Sequence, residues 1–219
     1  MTINNNIQAA MWIHQSRDMQ ADMDLVKSII PAQYDYYFKI FLPIIFENDE
    51  TGQRKKVTYE QLAALGDLPF EDFFCQHSIP NFITPFIASS SEEDYKMLAN
   101  LISILGGETS VIFHGVGEEN VPEKFADLWL IEGEMAELTE VVSALNENTK
   151  IELIHFPNYI FPLEKNWCLG KLIPKSGLFL LGCNAVIAEE LRHQNAIEAV
   201  ELSIEARYFE FPSAEGNEQ

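Results

Sequence analysis

The sequence predicts a single α+β domain that contains a mixed, mostly antiparallel sheet, two main helices and two short ones. Short apolar runs of strand length alternate with capped helical patterns along the 219 residues. No Gly-, Ser- or Pro-rich linker and no tandem repeat divides the chain. We therefore expect one domain over residues 1–211 and a disordered tail over 212–219, with a soft boundary near 80–91.

In the front half, two strands and one short helix are predicted. The run IQAAMWI, residues 7–13, is interpreted as a first strand, and residues 34–46 give the clearest strand pattern. Pro43 interrupts that pattern and indicates a bulge or a sheet edge. Thr58 and Gln61 have the spacing of a capping box, which predicts a short helix over about 58–65.

The back half alternates helices with strands. Serines and acidic residues before an apolar stripe, followed by Gly106, predict a main helix over about 91–105. A second main helix is expected over 134–145, and Asn184 is a suitable N-cap for a short helix over 184–193. Strands are expected in TSVIFH, DLWLIEG and IEAVELSI. IELIHF, whose strand pattern is weaker, is a further candidate. A hairpin is expected from NWCLGKLI and GLFLLGC.

The charge balance restricts the classes of partner. Thirty-four acidic residues against 14 basic ones give a net charge of −20, which repels nucleic acid backbones and anionic membranes and attracts basic proteins. Solubility alone is the other explanation of this acidity, because a net charge keeps protein molecules apart. Three cysteines in unclustered positions do not form a disulfide framework, and the N-terminal segment lacks the pattern of a signal peptide. A cytoplasmic protein without a membrane-spanning segment is expected.

The sequence has no motif of a known catalytic, metal or nucleotide site. There is no Gly-x-Ser-x-Gly, and the HGVG that follows a predicted strand lacks the third glycine and the Lys-Ser or Lys-Thr of a phosphate loop. Cys75 and His77 have no second ligand pair at zinc spacing, and His114 and His155 have no carboxylate at a diagnostic interval. We therefore predict no catalytic residue, no metal and no cofactor.

The acidic residues are concentrated in one part of the chain. Ten of them lie between Glu118 and Glu152, where Lys124 and Lys150 are the only basic residues. This distribution predicts a negative surface centred on helix 134–145 and its flanking loops. The residues expected to contact a partner are Glu118, Glu119, Trp129, Glu134, Glu137 and Glu140.

Part of the sequence resembles a loose group of uncharacterised bacterial proteins. The similarity lies in the segment NWCLGKLIPKSGLFLLGCNAVIAEELRHQNAIEAVEL, through Trp167, Gly182 and the triplet 197–199, and in YDYYFKIFLPI followed by VTYEQLAALGD. It covers about half of the chain. The resemblance implies a bacterial origin and one continuous domain, and it brings no activity and no catalytic residue.

These observations favour a non-catalytic acidic protein that binds a basic partner, such as an immunity protein that neutralises a bacterial toxin. A nuclease site is basic because it holds phosphates, and acidic residues on a rigid helix would complement it. The first alternative is an enzyme whose site is assembled from dispersed residues around His114. The second alternative is a regulatory or assembly subunit, whose acidic residues only keep it soluble. The sequence does not specify the oligomeric state.

Overall fold

A central antiparallel sheet with helices on both faces forms the fold. The computed structural model describes residues 3–4, 8–47, 52–70, 74, 78–79, 83, 87–88, 91–115, 128–147, 155–171 and 178–208. The strands are β1 (Ile3–Asn4), β2 (Tyr36–Phe41), β3 (Ile44–Glu47), β4 (Arg54–Val57), β5 (Ile87–Ala88), β6 (Ser110–Gly115), β7 (Trp129–Glu134), β8 (Tyr159–Pro162), β9 (Trp167–Lys171), β10 (Leu178–Cys183) and β11 (Ala199–Leu202). The helices are α1 (Gln8–Ser16), α2 (Val26–Ile29), α3 (Tyr59–Leu65), α4 (Ser91–Leu105), α5 (Leu138–Leu145) and α6 (Ala185–His193).

Eight strands form the main sheet in the order β1-β7-β6-β8-β9-β10-β2-β11, and β4-β3-β5 form a small second sheet. Every strand pairing of the described residues is antiparallel. The predicted α+β class with a mostly antiparallel sheet is therefore confirmed, and the described part of the sheet contains no parallel pair. The predicted hairpin is β9 and β10, in which Leu181 pairs with Leu169.

The main sheet is buried on both faces. Along β2, Phe38 and Ile40 pack with α4, α5 and α6, whereas Tyr37 and Phe41 pack with α1, α2 and α3. This burial on both sides explains why the β2 sequence is apolar almost throughout rather than alternating with polar residues. The exception is Lys39, which is fully buried and donates a hydrogen bond to the carbonyl of Phe74 at 2.9 Å.

The predicted helix boundaries agree closely with the structure. Thr58 and Gln61 form the expected capping box, and the Asn184 side chain accepts from the N–H of Ile187 at 3.2 Å. Helix α4 ends before Gly106, whose φ of 82° requires the left-handed conformation that glycine adopts readily. The expected helix 134–145 is a 3-10 turn over Met135–Glu137 that continues into α5.

Other predicted elements were wrong or incomplete. Residues 8–13 form part of α1 rather than a strand, since Ala10 and Ile13 fall on one buried helical face. The 34–46 run is divided near Pro43 into β2 and β3, and four strands, β1, β4, β5 and β8, were not expected. The IELIHF strand and the 212–219 tail lie mainly or wholly outside the described residues.

Candidate functional site

The predicted acidic surface is present in part. Glu134 and Glu140 are exposed and Glu137 is half-buried, whereas Glu118 and Glu119 lie outside the described residues. Trp129 is only 3% exposed, because it alternates with Ile131 on the face of β7 that packs in the helical core. It therefore does not lie at the margin of a binding surface, and this assignment is corrected.

The exposed acids of β7 line an open groove of about 530 Å³. Glu132 and Glu134 are two residues apart, so both side chains point to the same face of the strand. They lie opposite Ile112 and Ser110 of β6, at the end of the hairpin. The described residues that line it are Ser110, Val111, Ile112, Glu132, Gly133, Glu134, Glu137 and Leu163.

The three lining carboxylates differ in how free they are to bind. The Glu137 carboxylate accepts a hydrogen bond from the backbone N–H of Glu134 at 2.9 Å, which fixes the start of the 3-10 turn. Glu132 and Glu134 are exposed, and no basic residue occurs among the lining residues that the structure describes. Leu163 adds an apolar edge that is 58% exposed. A groove with this lining is suited to a cationic side chain that has an apolar stem, as lysine and arginine have.

A second group of polar residues lies where α1 crosses β6 and β8. Arg17 donates from Nη1 to the Tyr159 hydroxyl at 2.6 Å, and its Nη2 lies 3.1 Å from His14 Nδ1. The His114 ring centroid is 6.4 Å from that of His14 and 5.8 Å from that of Tyr159. Tyr159 in turn donates to the carbonyl of Ile29 at 3.1 Å, so the group also connects α2 to the sheet. We call these four side chains, His14, Arg17, His114 and Tyr159, the α1 polar cluster.

Both histidines of the α1 polar cluster are held in the neutral form. Burial, together with the neighbouring His14 and Arg17, lowers the pKa of His114 to about 4. Burial and the Arg17 guanidinium also lower the pKa of His14. His114 is 2% exposed, and its Nδ1 has no hydrogen-bond partner among the described residues. A histidine with this pKa is a weak base at neutral pH, which does not favour general-base catalysis.

The described cysteines offer no activated nucleophile. Cys168 and Cys183 are fully buried. Burial raises the pKa of the Cys168 thiol above its usual range and that of Cys183 to about 12. The thiol form is inert at neutral pH, so both residues are part of the core, as the sequence indicated.

Two carboxyl groups with raised pKa values, one buried and one half-buried, were not anticipated. Asp94 lies on the buried face of α4, and burial with the neighbouring Glu93 raises its pKa to about 6. Glu198 lines a smaller pocket of about 270 Å³ together with Lys56 and Met97. Burial raises the pKa of Glu198 to about 7, although its carboxylate accepts from the N–H of Tyr59 at 2.7 Å, which favours the charged form.

No group of three or more potential metal ligands occurs within the part of the chain that the structure describes. Cys75 and His77 lie outside that part. The ring neighbours of His114 are His14 and Tyr159, and the backbone N–H of His155 donates to the Asn146 side chain at 2.8 Å.

Comparison of the chain with protein-family models, with curated proteins and with solved structures found no match. Among the described helices, none has both the length and the apolar character needed to cross a bilayer.

Proposed function

We propose that this chain is a non-catalytic acidic protein that binds a basic protein partner through the groove between β6, β7 and the following 3-10 turn. The observation that supports the proposal is the groove itself, whose described lining contains Glu132, Glu134 and Glu137 and no basic side chain. An immunity protein that neutralises a bacterial toxin is the specific form we favour. Its partner would present a lysine or arginine side chain to the groove.

The rigidity of the groove favours binding by complementarity. Glu132 and Glu134 are held by a six-residue strand pairing with β6, and the carboxylate of Glu137 is fixed by its hydrogen bond to the backbone. Charged groups that are already in position lose little conformational entropy when a partner arrives. The net charge of −20 adds a long-range field that accelerates the encounter with a basic protein.

The test compares two variants with the same change in charge. The groove variant replaces the two exposed lining residues Glu132 and Glu134 by Gln, and the control replaces the exposed Glu60 and Glu190 by Gln. Each is used with the wild type to capture partners from an extract of the native host at low and at physiological salt. The association rate of a purified partner is then measured. Glu137 is left unchanged because its hydrogen bond supports the fold.

We expect the groove variant to associate about tenfold more slowly than the control at low salt, because two charges are removed at the contact itself. A partner that is a toxin would also lose its toxicity when it is co-produced with the wild-type chain. Equal association rates for the groove variant and the control, or the absence of any basic partner, would refute the proposal.

A second candidate function, an enzyme with a site around His114, is favoured by one observation. The structure brings His114 together with His14, Arg17 and Tyr159 from distant parts of the chain. Its test is a screen of hydrolase and transferase substrates with wild type and His114→Gln. Activity lost in His114→Gln, but retained in the groove variant, would favour the enzyme over the binding protein.

A further inference from the structure

Arg17 differs from the other arginines of this acidic chain. Arg54, Arg192 and Arg207 each pair with a carboxylate, at 2.9 Å to Glu47, 2.8 Å to Glu201 and 3.3 Å to Asp24. Arg17 has no carboxylate partner among the described residues. The adjacent Asp18 is engaged elsewhere, because its carboxylate accepts from the N–H groups of residues 20 and 21 and lies 3.7 Å from Lys27.

The α1 polar cluster has more hydrogen-bond donors than acceptors. The Nε of Arg17 is buried without a partner among the described residues, and so is Nδ1 of His114. The Nδ1 of His14 faces the Arg17 guanidinium and must accept from it, so the proton of the neutral ring lies on Nε2, which is then a further donor. The hydroxyl of Tyr159 already accepts from Arg17 and donates to Ile29. Buried donors without acceptors are costly, and a bound ion is one established way to satisfy them.

We propose that Arg17, His14 and His114 form a binding site for a small oxyanion, a carboxylate or phosphate group, where α1 crosses β6 and β8. The guanidinium supplies the charge and a planar pair of donors that match an oxyanion geometrically. His14 supplies a neutral N–H donor at the exposed edge of the site, and His114 supplies one at its buried end in the tautomer that carries its proton on Nδ1. Tyr159 positions Arg17 through the 2.6 Å hydrogen bond.

The acidity of the whole chain does not exclude such a site. Repulsion by distant carboxylates is screened over about 8 Å at physiological salt, whereas direct hydrogen bonds to a half-buried guanidinium are screened much less. The site shares strand β6 with the acid-lined groove, but its residues Arg17, His14 and His114 are not among the described residues that line the groove, so it does not depend on the proposed function. Either proposal can fail while the other stands.

The experiment titrates the full chain with inorganic phosphate and, separately, with acetate at physiological salt, and follows the imidazole signals by NMR. We expect saturable shifts of the His14 and His114 signals and none at His193, which is 83% exposed on α6. Saturation by phosphate alone identifies a phosphate group as the ligand, and saturation by acetate alone identifies a carboxylate. Absence of saturable shifts with both anions overturns the proposal.

Matched variants assign the binding to Arg17. Arg17→Lys keeps the charge but loses the planar pair of donors, and we expect its apparent Kd to be at least about tenfold weaker than that of the wild type. Arg54→Lys is the control on an exposed arginine and should bind as the wild type does. His14→Gln tests a second donor at an exposed position where the fold is not at risk. Equal binding by Arg17→Lys, His14→Gln and the wild type would mean an adventitious ion only and would overturn the proposal.

Discussion

Replacing Asp94 by Asn is expected to stabilise the protein. Asp94 is 9% exposed and lies on the buried face of α4, and its carboxyl pKa is raised from the usual 3.8 to about 6. The cause is first burial and then the neighbouring Glu93. Asn has the shape and polarity of the protonated carboxyl, so the substitution removes the buried negative charge and changes little else.

The expected change in the free energy of unfolding is the difference between the cost of burying the charge and its gain from the helix dipole. Raising a carboxyl pKa from 3.8 to about 6 corresponds to at most about 3 kcal/mol at neutral pH, and solvent screening reduces this to about 1–2 kcal/mol. Asp94 is also in the first turn of α4, where its charge gains about 0.5 kcal/mol from the helix dipole. The burial cost is larger, so we expect Asp94→Asn to raise the free energy of unfolding by about 1 kcal/mol at pH 7.5.

The pH dependence of stability distinguishes removal of the buried Asp94 charge from other causes of stabilisation. Because the folded-state pKa is raised, the native protein binds a proton more tightly than the unfolded chain between the two pKa values. Wild type therefore loses stability as the pH rises through this range, and the loss is complete above about pH 7. The advantage of Asp94→Asn should grow from pH 5 to pH 7 and then remain constant.

Urea unfolding of both proteins at several values between pH 5 and pH 8 provides the assay, and it avoids the isoelectric region near pH 4.5. Asp22→Asn is the matched control, because it removes the same charge from an exposed position and should change stability by less than about 0.5 kcal/mol. A variant that is less stable than wild type at pH 7.5, or an advantage that does not depend on pH, would refute the reasoning.

Two other substitutions test the packing around the sites. Glu198→Ala should lower the free energy of unfolding by about 1–2 kcal/mol in urea denaturation, because the N–H of Tyr59 loses its acceptor. Glu198→Gln should lower this free energy by less, since its amide oxygen can still accept the hydrogen bond. Gly115→Ala should cost about 1–3 kcal/mol by thermal and urea unfolding, since an added Cβ would overlap the ring of Trp129. Gly107→Ala, where a Cβ would meet only ordinary contacts, is the control for it, and equal losses in the two variants would contradict the packing argument.

The sequence predicts elements well where local chemistry defines their ends. The Thr58 capping box, the Asn184 cap and the Gly106 stop each depend on residues within a few positions, and all three are present. Residues 8–13 were misassigned, because a short apolar run is compatible with a strand or with a buried helical face and only tertiary packing decides.

The candidate sites were less accessible to sequence reasoning. Glu134 and Glu137 were expected at a binding surface because acids are dense there, and the structure adds Glu132 through the register of β7. The α1 polar cluster joins Arg17 to Tyr159, which is 142 residues away, and no spacing rule connects such positions. If a helix had been predicted over 8–16, His14 and Arg17 would have been placed on one helical face. Their three-residue spacing was therefore the signal available in the sequence.

The strand order has a consequence for how the chain folds during synthesis. Strand β2 lies between β10 and β11, so its hydrogen-bonding partners are synthesised long after it. At ordinary rates of synthesis, β2 waits roughly 10–30 s for its neighbours. During that time its apolar side chains and both of its edges are unprotected. The nascent chain should therefore depend on chaperones more than a protein whose strands pair in sequence order, and it should fold slowly because its contacts are long-range.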